Sequence, residues 1–205
     1  MKKGTLIVIS GFSGSGKGTI ISKLIEKYDN YSLSISATTR KPRYGETDGR
    51  EYFFISRDDF EKKIKNGDFI EYALYVDNYY GTPGEYVVKQ LNSGKNVILE
   101  IEIQGAAKIK ERFEDALMVF IAPPSAEILE QRLKNRSTED GEEITKRLRR
   151  AADESFFIKD YDYIIINDTL EKAVESLNNL VECENMAVNR NLDFIDELER
   201  GLNKF

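Results

Sequence analysis

From Gly11 to Thr19 the chain reads Gly-Phe-Ser-Gly-Ser-Gly-Lys-Gly-Thr. Glycines at this density let successive backbone N–H groups turn toward one point, where a helix dipole and a lysine add positive charge. That is the chemistry of a phosphate loop, with Lys17 reaching the β- and γ-phosphates of a nucleotide. Gly11, Ser13, Gly14, Ser15, Gly16, Lys17, Gly18 and Thr19 form the expected triphosphate site. The usual pattern has Ser or Thr directly after the lysine. Here Gly18 stands there and the hydroxyl arrives at Thr19, so a metal would be held less directly, through water or nucleotide oxygens. A plain Gly-rich turn is the competing reading. It is disfavoured by the apolar run Thr5–Ile9 before the loop and the helical pattern after it.

A phosphate loop alone leaves the reaction open among a GTPase, an ATPase motor and a small-molecule kinase. No Asn-Lys-x-Asp string of the kind that reads guanine in GTPases is present. Glu100-Ile-Glu102 places two carboxylates at the end of an apolar strand, where sites of α/β proteins lie. Glu100 is a candidate to serve a magnesium ion. Arg40-Lys-Pro-Arg43 holds two guanidinium forks close together, suited to a dianionic phosphate, and Tyr52 and Tyr80 add hydroxyl donors. By itself the Arg-Lys-Pro-Arg run reads as a solvated loop. The phosphate loop upstream reverses that weighting, because it calls for a phosphoryl acceptor. Arg132 and Arg136 are four apart and share a helix face, and Arg136 and Arg147 flank a polar loop. Arg149 and Arg150 read as a solvated basic face.

The elements that must position these groups follow from periodicity. Thr5–Ile9, Asn96–Ile101, Leu117–Ile121 and Tyr163–Ile166 are short, β-branched and apolar throughout, as strands buried on both faces of a parallel sheet are. Helices are expected over Lys17–Tyr28, from Ser125 to Arg136, over Glu142–Lys159 and from Thr169 to about Met186, with more helix toward the C-terminus. Thr82-Pro-Gly-Glu85 reads as a capping box opening another helix that ends at Gly94. Strands alternating with helices predict an α/β sandwich with right-handed crossovers. Residues Ser32–Tyr80, rich in Tyr, Arg, Gly and charge, break the rhythm and read as an inserted lobe. Asn135–Glu143 reads as a mobile loop.

Composition removes whole classes of chemistry. The 205 residues include no His, so imidazole acid–base catalysis, Ser-His-Asp triads and most zinc sites are excluded. One Cys, Cys183, allows no disulfide within the chain. A net charge of −6 and a sequence pI near 5.0 argue against a general nucleic-acid binder. With a mean hydropathy of −0.47 and apolar runs far too short to span a bilayer, no membrane association is expected. Met1-Lys2-Lys3 and the short run after it lack the length and cleavage pattern of a signal peptide, so the expected location is the cytoplasm.

Several strings together resemble the guanylate kinase family, over nearly the whole chain. They are Gly16-Lys-Gly-Thr19, Thr38-Thr-Arg-x-Pro-Arg-x-Gly-Glu46, Gly49-Arg-Glu-Tyr52, Phe69-Ile-Glu-Tyr72, Asn78-Tyr-Tyr-Gly-Thr82, Leu99-Glu-Ile-Glu-Ile-Gln-Gly105 and Tyr161-Asp-Tyr-x-Ile-x-Asn167-Asp168. The resemblance implies a P-loop kinase three-layer sandwich with a parallel central sheet, an inserted nucleoside-monophosphate lobe and a lid. The divisions would be residues 1–31 and 83–205 for the core, 32–82 for the GMP lobe and 134–146 for the lid. It implies transfer of the γ-phosphoryl group of ATP to GMP, and to dGMP, giving ADP and GDP, with Mg2+ accompanying ATP. Small-molecule substrates are the partners it implies, and a homo-oligomer stays open. Arg40, Arg43, Glu46, Tyr52 and Tyr80 would hold the GMP phosphate side of the site. Ser36, Glu71, Thr82 and Glu102 would read guanine, whose N1 and N2 donors suit carboxylates. Lys17, Arg132, Arg136 and Arg147 would face the transferring phosphates. Two departures stand out: Glu102 where the family usually has Asp, and Asn135-Arg-Ser-Thr138 where it has Gly-Arg-Gly-Thr. The rival readings are a P-loop kinase for another small molecule, and a catalytically silent guanylate-kinase-like binding module.

Overall fold

In the computed structural model of the protein, residues 3–75, 77–136 and 141–205 are described. Its centre is a five-stranded parallel sheet in the order β2-β7-β1-β8-β9. The strands are β1 (Leu6–Gly11), β2 (Tyr31–Leu33), β7 (Asn96–Glu100), β8 (Leu117–Ala122) and β9 (Tyr163–Ile166). The period-2 geometry of a strand divides β1 between two cores. Ile7 and Ile9 pack with Ile20, Ile21 and Leu24 of α1 (Lys17–Lys27) and Val174, Leu177 and Val181 of α7 (Leu170–Asn185). Leu6 and Val8 pack on the other face with Val87 and Leu91 of α3 (Gly84–Asn92) and Ile109 of α4 (Ile103–Arg112). These isoleucines and leucines are almost wholly shielded, each contributing roughly 1.5–3 kcal/mol relative to exposure.

The expected strands and main helices are present with ends shifted by a residue or two. One expected helix is shorter: α6 runs Gly141–Ser155 and passes into a 3-10 turn over Phe156–Asp160. The capping box at Thr82 is corrected. Helix α3 begins at Gly84 with Pro83 at its cap, and no side chain caps it. Thr82 belongs instead to β6 (Asn78–Pro83), where its hydroxyl donates to Glu71 Oε1 at 2.9 Å.

Residues 37–83 make a second, four-stranded sheet in the order β4-β3-β6-β5. Its strands are β3 (Ala37–Thr38), β4 (Phe53–Phe54), β5 (Phe69–Tyr75) and β6. Ser32 and Leu33, expected in the inserted lobe, pair with Val97 and Ile98 in the central sheet. The lobe also holds a helix, α2 (Arg57–Asn66), capped by Ser56, whose hydroxyl oxygen accepts from the Asp59 N–H. Its apolar centre is small. Phe60 stacks between Phe69 and Tyr79, with ring centroids 4.3 and 5.1 Å away, and Ala37 completes the buried set.

Candidate active site

The connection leaving β1 goes to one edge of the sheet, through β2, while β8 and β9 lie toward the other. The C-terminal end of β1 is therefore a topological switch point, the place where open α/β sheets bind ligands. The phosphate loop occupies it. A cleft of about 880 Å³ opens there, lined by Gly11, Ser13, Gly14, Gly16, Lys17, Gly18 and Thr19. Glu100, Glu102, Lys146, Arg147, Arg150 and Glu154 line the same space.

The loop is held from outside the cleft. Ser15 O accepts from Asn167 Nδ2 at 2.8 Å and from Arg132 Nη1 at 3.4 Å. Arg132 Nη2 also donates to Asn167 O at 2.8 Å. A trans peptide points its C=O and N–H in opposite directions. Anchoring Ser15 O on Asn167 and Arg132 thus turns the Gly16 N–H the other way. Gly16 has φ 93°, and a Cβ there would lie 2.3 Å from Asn167 Nδ2, so only glycine fits. Gly14 has φ 87° and sits against Leu133. Lys17 Nζ donates to Gly11 O at 2.7 Å, which keeps it at the mouth of the loop.

The sequence-expected cationic residues separate in the structure. Arg147 Nη1 lies 3.3 Å from Ser13 Oγ, in the cleft. Arg132 does not line the cleft; it braces the loop through the two carbonyls just described. Arg136 is the last residue of α5 (Ala126–Arg136), and its side chain lies outside the described set, as do Ser137 and Thr138. Arg150 is exposed, as expected of a solvated basic face, but it is not idle there. It lines the cleft and donates from Nη2 to Glu102 Oε2 at 2.5 Å and from Nε to Glu154 Oε1 at 2.6 Å. Arg149 is exposed as expected.

On the second sheet Arg40, Glu46, Tyr52 and Tyr80 come together. Arg40 makes a two-pronged pair with Glu46, both contacts at 2.9 Å, and lies over the Tyr52 ring at 5.4 Å. The Tyr52 and Tyr80 rings meet edge to face at 5.9 Å. The Arg40 guanidinium, with the Arg43 N–H donating at 2.7 Å, holds the Glu46 carboxyl below the usual carboxylate range. Burial pushes the Tyr52 phenol up. Arg43 and its side chain are exposed, and Ser36 is half-buried, its carbonyl accepting from the Phe53 N–H.

A third group sits where β5, β6 and α4 meet. Burial pushes the Glu71 carboxyl above the usual range, opposed by the Thr82 hydroxyl bond and by Lys108. Gly105, on the first turn of α4, lies beside this carboxylate: a Cβ there would sit in ordinary contact with Glu71 Oε2 at 3.6 Å but only 2.6 Å from Ile101 Cγ2. Glu102 stands at the N-cap of the same helix, exposed and tied to Arg150.

Sequence reasoning missed Asn167 as the anchor of the phosphate loop and Arg150 as the partner of Glu102. The spacing of Arg147, Arg150 and Glu154, at i, i+3 and i+7 on α6, puts the three on one helix face but does not name Glu102. Both contacts join residues far apart in the chain, by 152 and 48 positions, which spacing alone does not reveal.

A phosphate loop at the switch point of a parallel sheet, together with a small arginine- and tyrosine-bearing sheet, defines the class of P-loop kinases. The guanylate kinase family model matches residues 3–184. The chain is 50% identical over 192 residues to the guanylate kinase of Caldanaerobacter subterraneus subsp. tengcongensis, covering 94% of this chain and 93% of that one. It is 48% identical over 189 residues to the guanylate kinase of Lactococcus lactis subsp. lactis, covering 92% of each. A crystal structure of guanylate kinase from Anaplasma phagocytophilum is similar with a TM-score of 0.73 at 32% identity, over 93% of this chain and 90% of that one. The chain belongs to the guanylate kinase family.

Proposed function

We propose a reading of the site that joins this family membership to the chemistry of its residues. The protein is an ATP:GMP phosphotransferase: it transfers the γ-phosphoryl group of ATP to GMP and releases ADP and GDP. One observation carries the activity, the family match that runs unbroken across the phosphate-loop sheet and the acceptor sheet together.

In this reading the backbone N–H groups of residues 13–19 cradle the ATP phosphates. Lys17 leaves Gly11 O to meet the γ-phosphoryl group, and Arg147 with Arg136 cancels charge on its equatorial oxygens. Arg132 contributes by holding the loop. Arg40, Arg43, Tyr52 and Tyr80 take the GMP phosphate, with Glu46 orienting Arg40. Glu71, Thr82, Ser36 and Glu102 read guanine. The acceptor is already an ionised phosphate, so no catalytic base is required, which suits a chain without His.

Among the described residues no group of three or more acidic or Cys side chains is placed to hold a metal alone. Thr19 and Glu100 line the cleft as exposed oxygen donors and fit an ion that arrives with ATP, held through water. Magnesium bound there supplies charge neutralisation across the β- and γ-phosphates. The second sheet, residues 37–83, and residues 134–146 serve as the moving lobe and lid, closing to exclude water. Among the described residues no helix is long and apolar enough to cross a membrane.

A coupled ADP-release assay with GMP, dGMP, IMP, AMP, CMP and UMP as acceptors tests this. Turnover should be strong with GMP and dGMP and at background with AMP and the pyrimidine nucleotides. Strong turnover with AMP, or none with any acceptor, would overturn the reading.

A further inference from the structure

The Glu102 carboxylate presents a physical problem. Its side chain is 76% exposed at the cleft, and it is one methylene longer than the Asp usual at this place in the resemblance stated above. An exposed, flexible carboxylate loses rotamer entropy each time it is fixed on a base, roughly up to 2 kcal/mol. Something must hold it. Arg150 Nη2 donates to Glu102 Oε2, and Arg150 Nε donates to Glu154 Oε1, on the same helix one turn further on. Glu154 is largely shielded, at 17% side-chain exposure, so it is a firm anchor for the guanidinium. Glu154 fixes Arg150, and Arg150 fixes Glu102. With Oε2 occupied, Oε1 has no partner among the described residues and remains to accept an N–H. Glu154, Arg150 and Glu102 all line the cleft that holds the phosphate loop.

We propose that Arg150 is a positioning residue for guanine recognition: it stays paired to Glu102 when GMP binds and holds the longer carboxylate ready for the base. The proposal rests on the reading of Glu102 as a guanine-contacting residue. It has a consequence for the order of events. Arg147 lies on α6 three residues before Arg150, and its guanidinium meets Ser13 of the phosphate loop. Engagement of guanine at Glu102 therefore fixes, through Arg150, the helix that carries Arg147 to the donor phosphates. A base that fails to meet Glu102 leaves that helix less constrained.

The test is a cycle of Arg150→Ala, Glu102→Ala and the double variant, with Arg150→Lys as the conservative control. Steady-state kinetics are measured with GMP and ATP varied separately, and thermal melting checks the fold. Arg150→Ala should raise KM for GMP roughly three- to tenfold, the scale of a partly exposed charge pair, while KM for ATP moves less than twofold. Arg150→Lys should recover part of the loss. In the Glu102→Ala background, Arg150→Ala should add less than twofold. If Glu102→Ala leaves KM for GMP unchanged, the base-reading role of Glu102 is wrong and this proposal falls with it. If Glu102→Ala impairs GMP but Arg150→Ala does not, only the positioning role is overturned. Equal effects of Arg150→Ala in both backgrounds would also overturn it, since Arg150 would then act by another route.

Discussion

Glu71→Gln separates recognition from stability, because the two should move in opposite directions. The change keeps volume and keeps an oxygen for the Thr82 hydroxyl, which now donates to Glu71 Oε1 at 2.9 Å. Burial holds this carboxyl above its ordinary range. A raised carboxyl value means the folded chain binds more protons than the unfolded one. Its destabilising contribution is absent below the ordinary carboxylate range, grows as pH rises through the window up to the raised value, and is fully present above that value. Glutamine, never charged, removes that contribution, so the protein without nucleotide should melt at the same temperature or slightly higher.

Binding of GMP should suffer. A carboxylate accepting from guanine N1 and N2 makes charge-assisted bonds worth about 1.5–3 kcal/mol each, and an amide that presents its own donor to a donor adds a desolvation cost. A net loss of about 2–3 kcal/mol corresponds to roughly 30- to 150-fold in KM for GMP, with KM for ATP nearly unchanged. The assay is ADP release at saturating ATP with GMP varied, alongside a melting curve without nucleotide. An unchanged KM for GMP would refute the reasoning, and so would a large loss of stability with GMP affinity intact, since that would make Glu71 a structural carboxylate.

Lys17→Ala should leave the melting temperature within a degree or two, because among the described residues its ammonium bonds only Gly11 O, while turnover falls by about two to three orders of magnitude or more. Arg40→Lys loses the two-pronged contact with Glu46 and should raise KM for GMP about tenfold without changing KM for ATP. The reverse pattern would show the acceptor and donor lobes to be exchanged. Asn167→Ala removes the 2.8 Å donor to Ser15 O and should raise KM for ATP by about tenfold, from a loss near 1–2 kcal/mol, with KM for GMP little affected. Small-angle scattering should show a smaller radius of gyration with GMP and an unreactive ATP analogue together than without them; identical profiles would count against closure of the two lobes.

What the sequence made legible follows the range of each physical signal. β1, β7, β8 and β9 were readable because strands buried on both faces run almost continuously apolar, as Leu117–Ala122 does. β2 escaped notice: three residues, one of them exposed, carry no periodicity. The hairpin β5–β6 and helix α2 lie in a stretch whose composition suggested only a lobe, although Ser56-x-x-Asp59 is a capping signal that marks the start of α2. Thr82 shows the converse error. A Thr-Pro-Gly-Glu string matches a helix start locally, but the Thr82 hydroxyl is used across the sheet by Glu71, so a tertiary contact overrode the local pattern. The phosphate loop was legible because its residues are consecutive. Its anchors, Asn167 and Arg132, were not, because nothing local requires them.

The positions of the cations explain how a net acidic chain prepares a site for two polyanionic substrates. Lys17 rests on Gly11 O and Arg40 on Glu46, while Arg150 is kept apart from this exchange by its pairs with Glu102 and Glu154. Left without acceptors in a cleft, such groups would repel one another and their carriers would spread. Parked on internal acceptors they stay oriented. A phosphate dianion offers more charge and more acceptor oxygens than a carbonyl or a shared carboxylate, so exchange of Lys17 from Gly11 O to a phosphate is favourable at small cost. Arg132 differs in kind. Its acceptors are Ser15 O and the carbonyl of Asn167, the other residue that holds Ser15 O, so removing it would loosen the frame that orients the loop N–H groups. On the proposed reading, cations that exchange partners act on the substrate, and cations bound to the frame hold the loop in which that exchange takes place.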